Sequence, residues 1–99
     1  MQELALQIYL TNQFNIYLKN NMVKFIWDFR GMDALKTAEH QLIHLNEFMN
    51  NNNLKIENQG CETVSEMHSF CFVVLEKEHV NFIREKLKPH RGLAVTTSN

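Results

Sequence analysis

The sequence predicts an α+β sandwich, with two helices on one face of a four-stranded antiparallel sheet. Three observations predict it. Residues 22–49 read as an alternating strand, a glycine break at Gly31, and a helix with apolar residues at heptad spacing. Residues 70–75, Phe-Cys-Phe-Val-Val-Leu, are continuously apolar, as expected of a strand buried on both faces. Finally, strand-like and helical periodicities follow one another in the order β-α-β-β-α-β. A chain of 99 residues, 44% hydrophobic and 21% charged, is one domain of globular composition.

Each element has its own justification. Val23, Phe25, Trp27 and Phe29 alternate with Lys24, Ile26, Asp28 and Arg30, so the first set should face a core. After Gly31, Asp33 is the expected N-cap, its carboxylate accepting from the first free helix amides. Leu35, Ala38, Leu42, Leu45 and Met49 trace one helical stripe, flanked by Ala34 and Ile43. The run Asn50 to Asn53 should end that helix, because asparagine tolerates the left-handed conformation of a C-cap. A second strand is expected from Leu54 and Ile56, with Gly60 as a bulge before Thr63 and Val64. The polar run Ser65 to His68 suits a hairpin turn. Val80, Ile83 and Leu87 then recur at helical spacing, closed by Pro89 and Gly92, with Lys86, Lys88 and His90 at the negative dipole end. Leu93 to Thr97 would be a final strand.

This order is that of a ferredoxin-like βαββαβ sandwich. There the first and third strands are central and the second and fourth lie at the edges. Here the first and third are the most apolar and the other two polar and short, as edge strands should be. The domain is therefore expected over residues 22–99. Residues 1–21 form an N-terminal extension whose apolar residues fit two periods. Leu4, Leu6, Ile8 and Leu10 alternate, as do Phe14, Ile16 and Leu18, which suggests a hairpin; Leu6, Tyr9, Leu10, Phe14 and Tyr17 share one helical face. Either way the segment should pack on the core or on a partner subunit. Because residues 70–75 are apolar on both sides, the sheet face without helices needs a cover. A homodimer is the expected one, with or without the extension.

Charge and cysteine usage exclude several classes. A formal charge of -1 gives no global reason for nucleic acid or an anionic membrane as partner; Arg84 to Arg91 is the one basic segment. Cys61 and Cys71 form neither a disulfide framework nor CxxC pairs. Glu3, Gln7, Asn12 and Gln13 interrupt any signal-peptide-like run, and no stretch has the length of a membrane span. A cytoplasmic protein is the expectation.

Three groups could carry chemistry. His40, His44 and Glu47, spaced i, i+4 and i+7, share a helix face and are reasonable ligands for zinc, nickel or copper. They lie opposite Leu42, on the side a sandwich gives to water, and the plain reading is a solvated face. Second, Phe70-Cys71-Phe72-Val73 resembles the RNP1 motif of RNA-recognition-motif domains, which share the βαββαβ order. The resemblance implies that Phe70 and Phe72, with Phe25, stack on bases. The match departs from the motif at His68, Ser69 and Leu75. Third, Asp28 and Arg30 place charges on the open face of the first strand, with His68 and Glu66 on the adjoining hairpin. Burial would require such charges to be paired, and Asp28, Arg30 and His68 are the ligand-binding candidates. No spacing identifies a nucleophile–base dyad for either cysteine. The reading is a small non-catalytic binding or regulatory module acting as a homodimer. A small dimeric enzyme or metal-binding protein is the alternative, and an RNA-binding domain the third reading.

Overall fold

Alternation in the first strand sets up two chemically different sheet faces. The computed structural model describes residues 21–95. The N-terminal extension and the end of the last expected strand therefore fall almost wholly outside the described residues. Strand β1 spans Met22–Arg30 and puts Phe25 and Trp27 into the core, 1% and 3% exposed, with Val23 and Phe29 packed beside them. Strand β3, His68–Glu76, pairs with it antiparallel and sets Val73 opposite Phe25 and Cys71 opposite Trp27. Strand β2, Asn58–Ser65, flanks β3, and strand β4, Arg91–Val95, flanks β1, giving the sheet order β2-β3-β1-β4. The two apolar strands are central and the polar ones are edges.

Two helices complete an α+β fold. Helix α1, Ala34–Asn51, buries Ala34, Ala38, Leu45 and Met49, with Leu42 partly buried. Leu35, expected on that stripe, is exposed instead; its neighbour Ala34 takes the inward position at the first turn. Helix α2, Val80–Leu87, follows a 3-10 turn at Lys77–His79 and buries Ile83. Residues of both helices belong to the same cluster as Phe25, Trp27 and Leu75, so both cover one sheet face. Phe48 of α1 stacks on Phe82 of α2 with ring centroids 5.8 Å apart. Trp27 Nε1 donates to the Leu87 carbonyl at 2.9 Å, which satisfies both a buried indole and a free helix-end carbonyl.

Local termini correct several expectations. Asp33 occupies the N-cap, but its side chain makes no capping bond. Its backbone carbonyl accepts from Thr37, and Gly31, at φ +112°, supplies the carbonyl that accepts from Ala34. At the other end Asn53 has φ +57°, Asn53 N–H donates to Asn50 and Leu54 N–H to Met49. That is a Schellman ending, with asparagine where glycine usually sits. Leu54 and Ile56 lie before β2 and pack on the core from the connection. Gly60 is no bulge: it sits in register opposite Phe72, and the irregularity lies at Thr63/Ser65. A Cβ on Gly60 would come within 3.1 Å of the Phe72 ring, so the missing side chain makes room for an aromatic. Gly92 lies within β4 rather than closing α2, where Lys88 takes the left-handed position at φ +46°. The last strand starts at Arg91, two residues before the expected Leu93.

The second face carries its own apolar cluster. Ile26, Phe72 and Val74 are buried there, with Met22, Phe70 and Val95 against them. No described helix is long and apolar enough to cross a membrane.

Candidate functional site

Asp28 follows Ile26 on the sheet face that α1 and α2 leave uncovered, helix-free among the described residues, so the strand period that buries Trp27 inward turns this carboxylate outward. Two residues far away in sequence meet it. His68 opens β3, and its Nε2 lies 2.7 Å from Asp28 Oδ1. Arg91 opens β4 opposite Ile26 and grips the same carboxylate with two bonds, Nε to Oδ2 and Nη2 to Oδ1, both 2.8 Å. This two-point contact is the strong geometry for guanidinium and carboxylate. The backbone is tied in as well: Asp28 N–H donates to His90 Nδ1 at 2.8 Å, and His90 N–H donates to the Ile26 carbonyl at 2.9 Å. Residues 90 and 91 thus hold both the main chain and the side chain of Asp28.

The electrostatics follow. Burial pushes the Asp28 carboxyl up, but the hydrogen bonds and charges of Arg91 and His68 outweigh it and hold the group below its ordinary value. An ionised carboxylate only accepts, so His68 Nε2 donates to it, leaving Nδ1 as an acceptor whenever the ring is neutral. His90, accepting at Nδ1, carries its proton on Nε2. The Asp28 and His68 side chains are 16% and 15% exposed, whereas Arg91 is 45% exposed. The network runs from a sheltered carboxylate to an accessible cation.

Aromatic rings form the floor beside it. Phe70 lies across from Asp28 in the register, and Phe72 across from Ile26. Lys24 Nζ stands 4.2 Å from the centre of the Phe72 ring and 5.8 Å from that of Phe70, and the Arg91 guanidinium is 5.4 Å above Phe70. Both are within cation–π range.

Of the expected ligand-binding residues, Asp28 and His68 come together and Arg30 does not join them. Arg30 is exposed at the end of β1, and the guanidinium that pairs with Asp28 belongs to Arg91. Sequence reading placed Arg91 only in a basic segment. No local spacing links positions 63 apart; the pairing of β4 with β1 does. Phe70 and Phe72 stand on the helix-free face, as the RNP1 resemblance implies. Phe72, however, is 7% exposed, and Phe25 is in the opposite core at 1%, so the expected three-ring platform does not form.

On α1, the His40 and His44 rings meet edge to face with centroids 4.8 Å apart, and His44 Nδ1 lies 3.4 Å from Glu47 Oε1. All three are exposed. Among the described residues, the donor set that gathers within 4.8 Å is Glu76, Glu78 and His79, where β3 runs into the 3-10 turn. That group was not singled out from the sequence, and its carboxylates are exposed to water. Cys61 and Cys71 face one another across β2 and β3 on the helix side. Burial raises both thiols, Cys71 to about 12, with Glu39 adding to the effect at Cys61. Neither is a ready nucleophile at neutral pH.

Compared with protein-family models, curated proteins and solved structures, the chain matches none.

Proposed function

We propose that this chain is a ferredoxin-like sandwich acting as a non-catalytic binding module, which captures an anionic group at the polar end of its helix-free sheet face. The observation that carries this reading is the Asp28 carboxylate bonded at once to His68 and Arg91. A guanidinium has five N–H donors, and Asp28 takes two of them. Among the described residues the rest make no other side-chain bond, on a half-exposed side chain whose guanidinium lies 5.4 Å from the centre of the Phe70 ring. Lys24 adds a second cation, 5.8 Å from the centre of the same Phe70 ring, so two positive groups share the ring beside the Asp28 carboxylate. A ligand carboxylate or phosphate would meet Arg91 and Lys24, with His68 Nδ1, which bonds none of the described residues, able to accept from a neighbouring hydroxyl. Preorganisation by Asp28 lowers the ordering cost of binding.

The test is titration of the full chain with acetate, benzoate and inorganic phosphate, followed by amide and side-chain NMR shifts. The expected result is saturable shifts at Arg91, His68 and Lys24 for at least one anion. Arg91→Ala should weaken binding about 10-fold or more, the loss of one charge-assisted contact of about 1.4 kcal/mol or above. Shifts that grow linearly to high millimolar concentration, equal in the variant, would sink the reading.

The Asp28–His68 contact of 2.7 Å favours a second reading, a small enzyme in which Asp28 orients His68 as general base. Among the described residues no hydroxyl or thiol hydrogen-bonds His68, which favours binding over nucleophilic catalysis. A homodimer built on this face would need its apolar end free.

A further inference from the structure

We infer that the hollow between helix α2 and edge strand β4 binds a small carboxylate with a compact apolar body, the carboxylate on Arg84 and the body over Gly92 and Ala94. This hollow lies on the helix-covered side of the sheet, away from the Asp28–His68 contact. The inference stands apart from the anion-binding reading and does not need it.

The alternation of β4 creates the hollow. Arg91, Leu93 and Val95 take the other face, so the strand offers only Gly92 and Ala94 to the helix side. These two stand opposite Phe25 and Val23, which belong to the helix-covered core. An inward strand position of a sandwich usually carries a bulky, covered side chain. Here both residues are small and both are exposed. Apart from its chain neighbours, a Cβ added at Gly92 would meet only Val23 Cγ1 within 4 Å, at 3.8 Å. The space above the glycine is therefore open. Val80 of α2 and Pro89 complete the apolar walls, and the cavity measures about 490 Å³, within the usual range of about 300–1,000 Å³ for small-molecule sites.

Charge at the rim selects the occupant. Arg84, one helical turn beyond Val80, lines the cavity and makes no salt bridge among the described residues. Its neighbours three and four positions away, Val80, Asn81, Leu87 and Lys88, include no acid. His90 lines the same rim. Its Nδ1 accepts from Asp28 N–H, so Nε2 carries the hydrogen and is a donor. Arg91 also lines the cavity, with its guanidinium committed to Asp28. None of the lining residues is acidic. Apolar walls under a cationic rim match an amphipathic anion. Its body gains by leaving water, while its carboxylate stays at the open edge, where a guanidinium can take it with two bonds. Inorganic phosphate would leave the walls wet, and a neutral apolar molecule would leave Arg84 unmatched.

The test titrates the full-length chain, with labelled methyl groups, against phenylacetate and its neutral counterpart phenylacetamide. The expected result is saturable shifts of the Val23, Val80 and Ala94 methyls with phenylacetate, and binding of the amide weaker by about 10-fold or more. Arg84→Gln should weaken phenylacetate by a similar factor. Gly92 does not have a positive φ, so Gly92→Val fills the hollow without backbone strain. That variant should keep the thermal midpoint and abolish the shifts. Equal binding of acid and amide would overturn the inference, as would shifts that never saturate or that persist unchanged in Gly92→Val. Saturable shifts confined to Lys24 and His68 would also overturn it, while leaving the anion-binding reading in place.

Discussion

Asp28 is the residue that ties together the polar end of the helix-free face. Its carboxylate accepts from Arg91 twice and lies within hydrogen-bond reach of His68, and charge-assisted bonds of this kind contribute about 1.5–3 kcal/mol each where sheltered. Arg91 is nearly half exposed, so solvent screening cuts its share. Asp28→Asn should therefore lower unfolding stability by about 1–3 kcal/mol in urea titrations at pH 7. The pH dependence has a definite sign. Because the folded carboxyl is held below its unfolded value, its contribution is present above about pH 4 and is lost as pH falls through the folded value. Urea midpoints between pH 2 and 6 should fall less steeply in Asp28→Asn than in the unmutated protein; equal slopes would remove the network from the account. Gly60 gives a steric test of the neighbouring ring. Ala at this position places a Cβ 3.1 Å from buried Phe72, and the overpacking should cost about 1–3 kcal/mol, read from the thermal midpoint.

Helix α1 shows which terminal signals act and which only resemble signals. Asp33 is at the N-cap yet bonds no helix amide, so Asp33→Ala should cost under about 0.5 kcal/mol, below the usual loss of a capping side chain. Asn53 is different. Its left-handed backbone closes the Schellman ending, so Asn53→Gly should be neutral or stabilising while Asn53→Val should cost about 1–2 kcal/mol. Denaturant midpoints of the three variants rank these effects, and a large loss in Asp33→Ala would reverse the assignment. The same helix is pinned to edge strand β2 by a reciprocal amide pair, Asn46 Nδ2 to Gln59 Oε1 at 2.6 Å and Gln59 Nε2 to Asn46 Oδ1 at 3.2 Å. Its polar back, with His40 and His44, remains in water.

At the scale of the whole molecule, one sheet separates two apolar clusters, and the cysteines belong to the helix-covered one. Cys71 is fully buried and its thiol is raised to about 12. Its neutral form is favoured by folding, so that stability is present below the unfolded value near 9 and is lost as pH rises towards 12. Thiol reagents at pH 8 should label Cys71 slowly in the native protein and promptly in urea; fast native labelling would mean that the helix layer opens readily.

What was legible in the sequence follows from period and punctuation. The inward set Phe25 and Trp27, the doubly apolar run Phe70 to Leu75, the asparagine ending and the element order all depend on neighbours a few residues apart. The expectation that His68 lies near Asp28 came instead from the element order, since the two are joined by the pairing of β1 with β3. The partner of Asp28 was not legible. Arg30 lies two positions away on the same face, but it is the exposed last residue of β1, whereas Arg91 is brought alongside by the pairing of β4 with β1. Gly60 likewise read as a bulge because its reason for being glycine, the Phe72 ring, is on another strand. By itself the sequence determined the elements, their inward faces and the α+β class, since those are local consequences of backbone period and side-chain polarity. Only the tertiary structure decided which cation meets Asp28, where the aromatic floor lies and which donors gather, because register joins residues that no spacing along the chain connects.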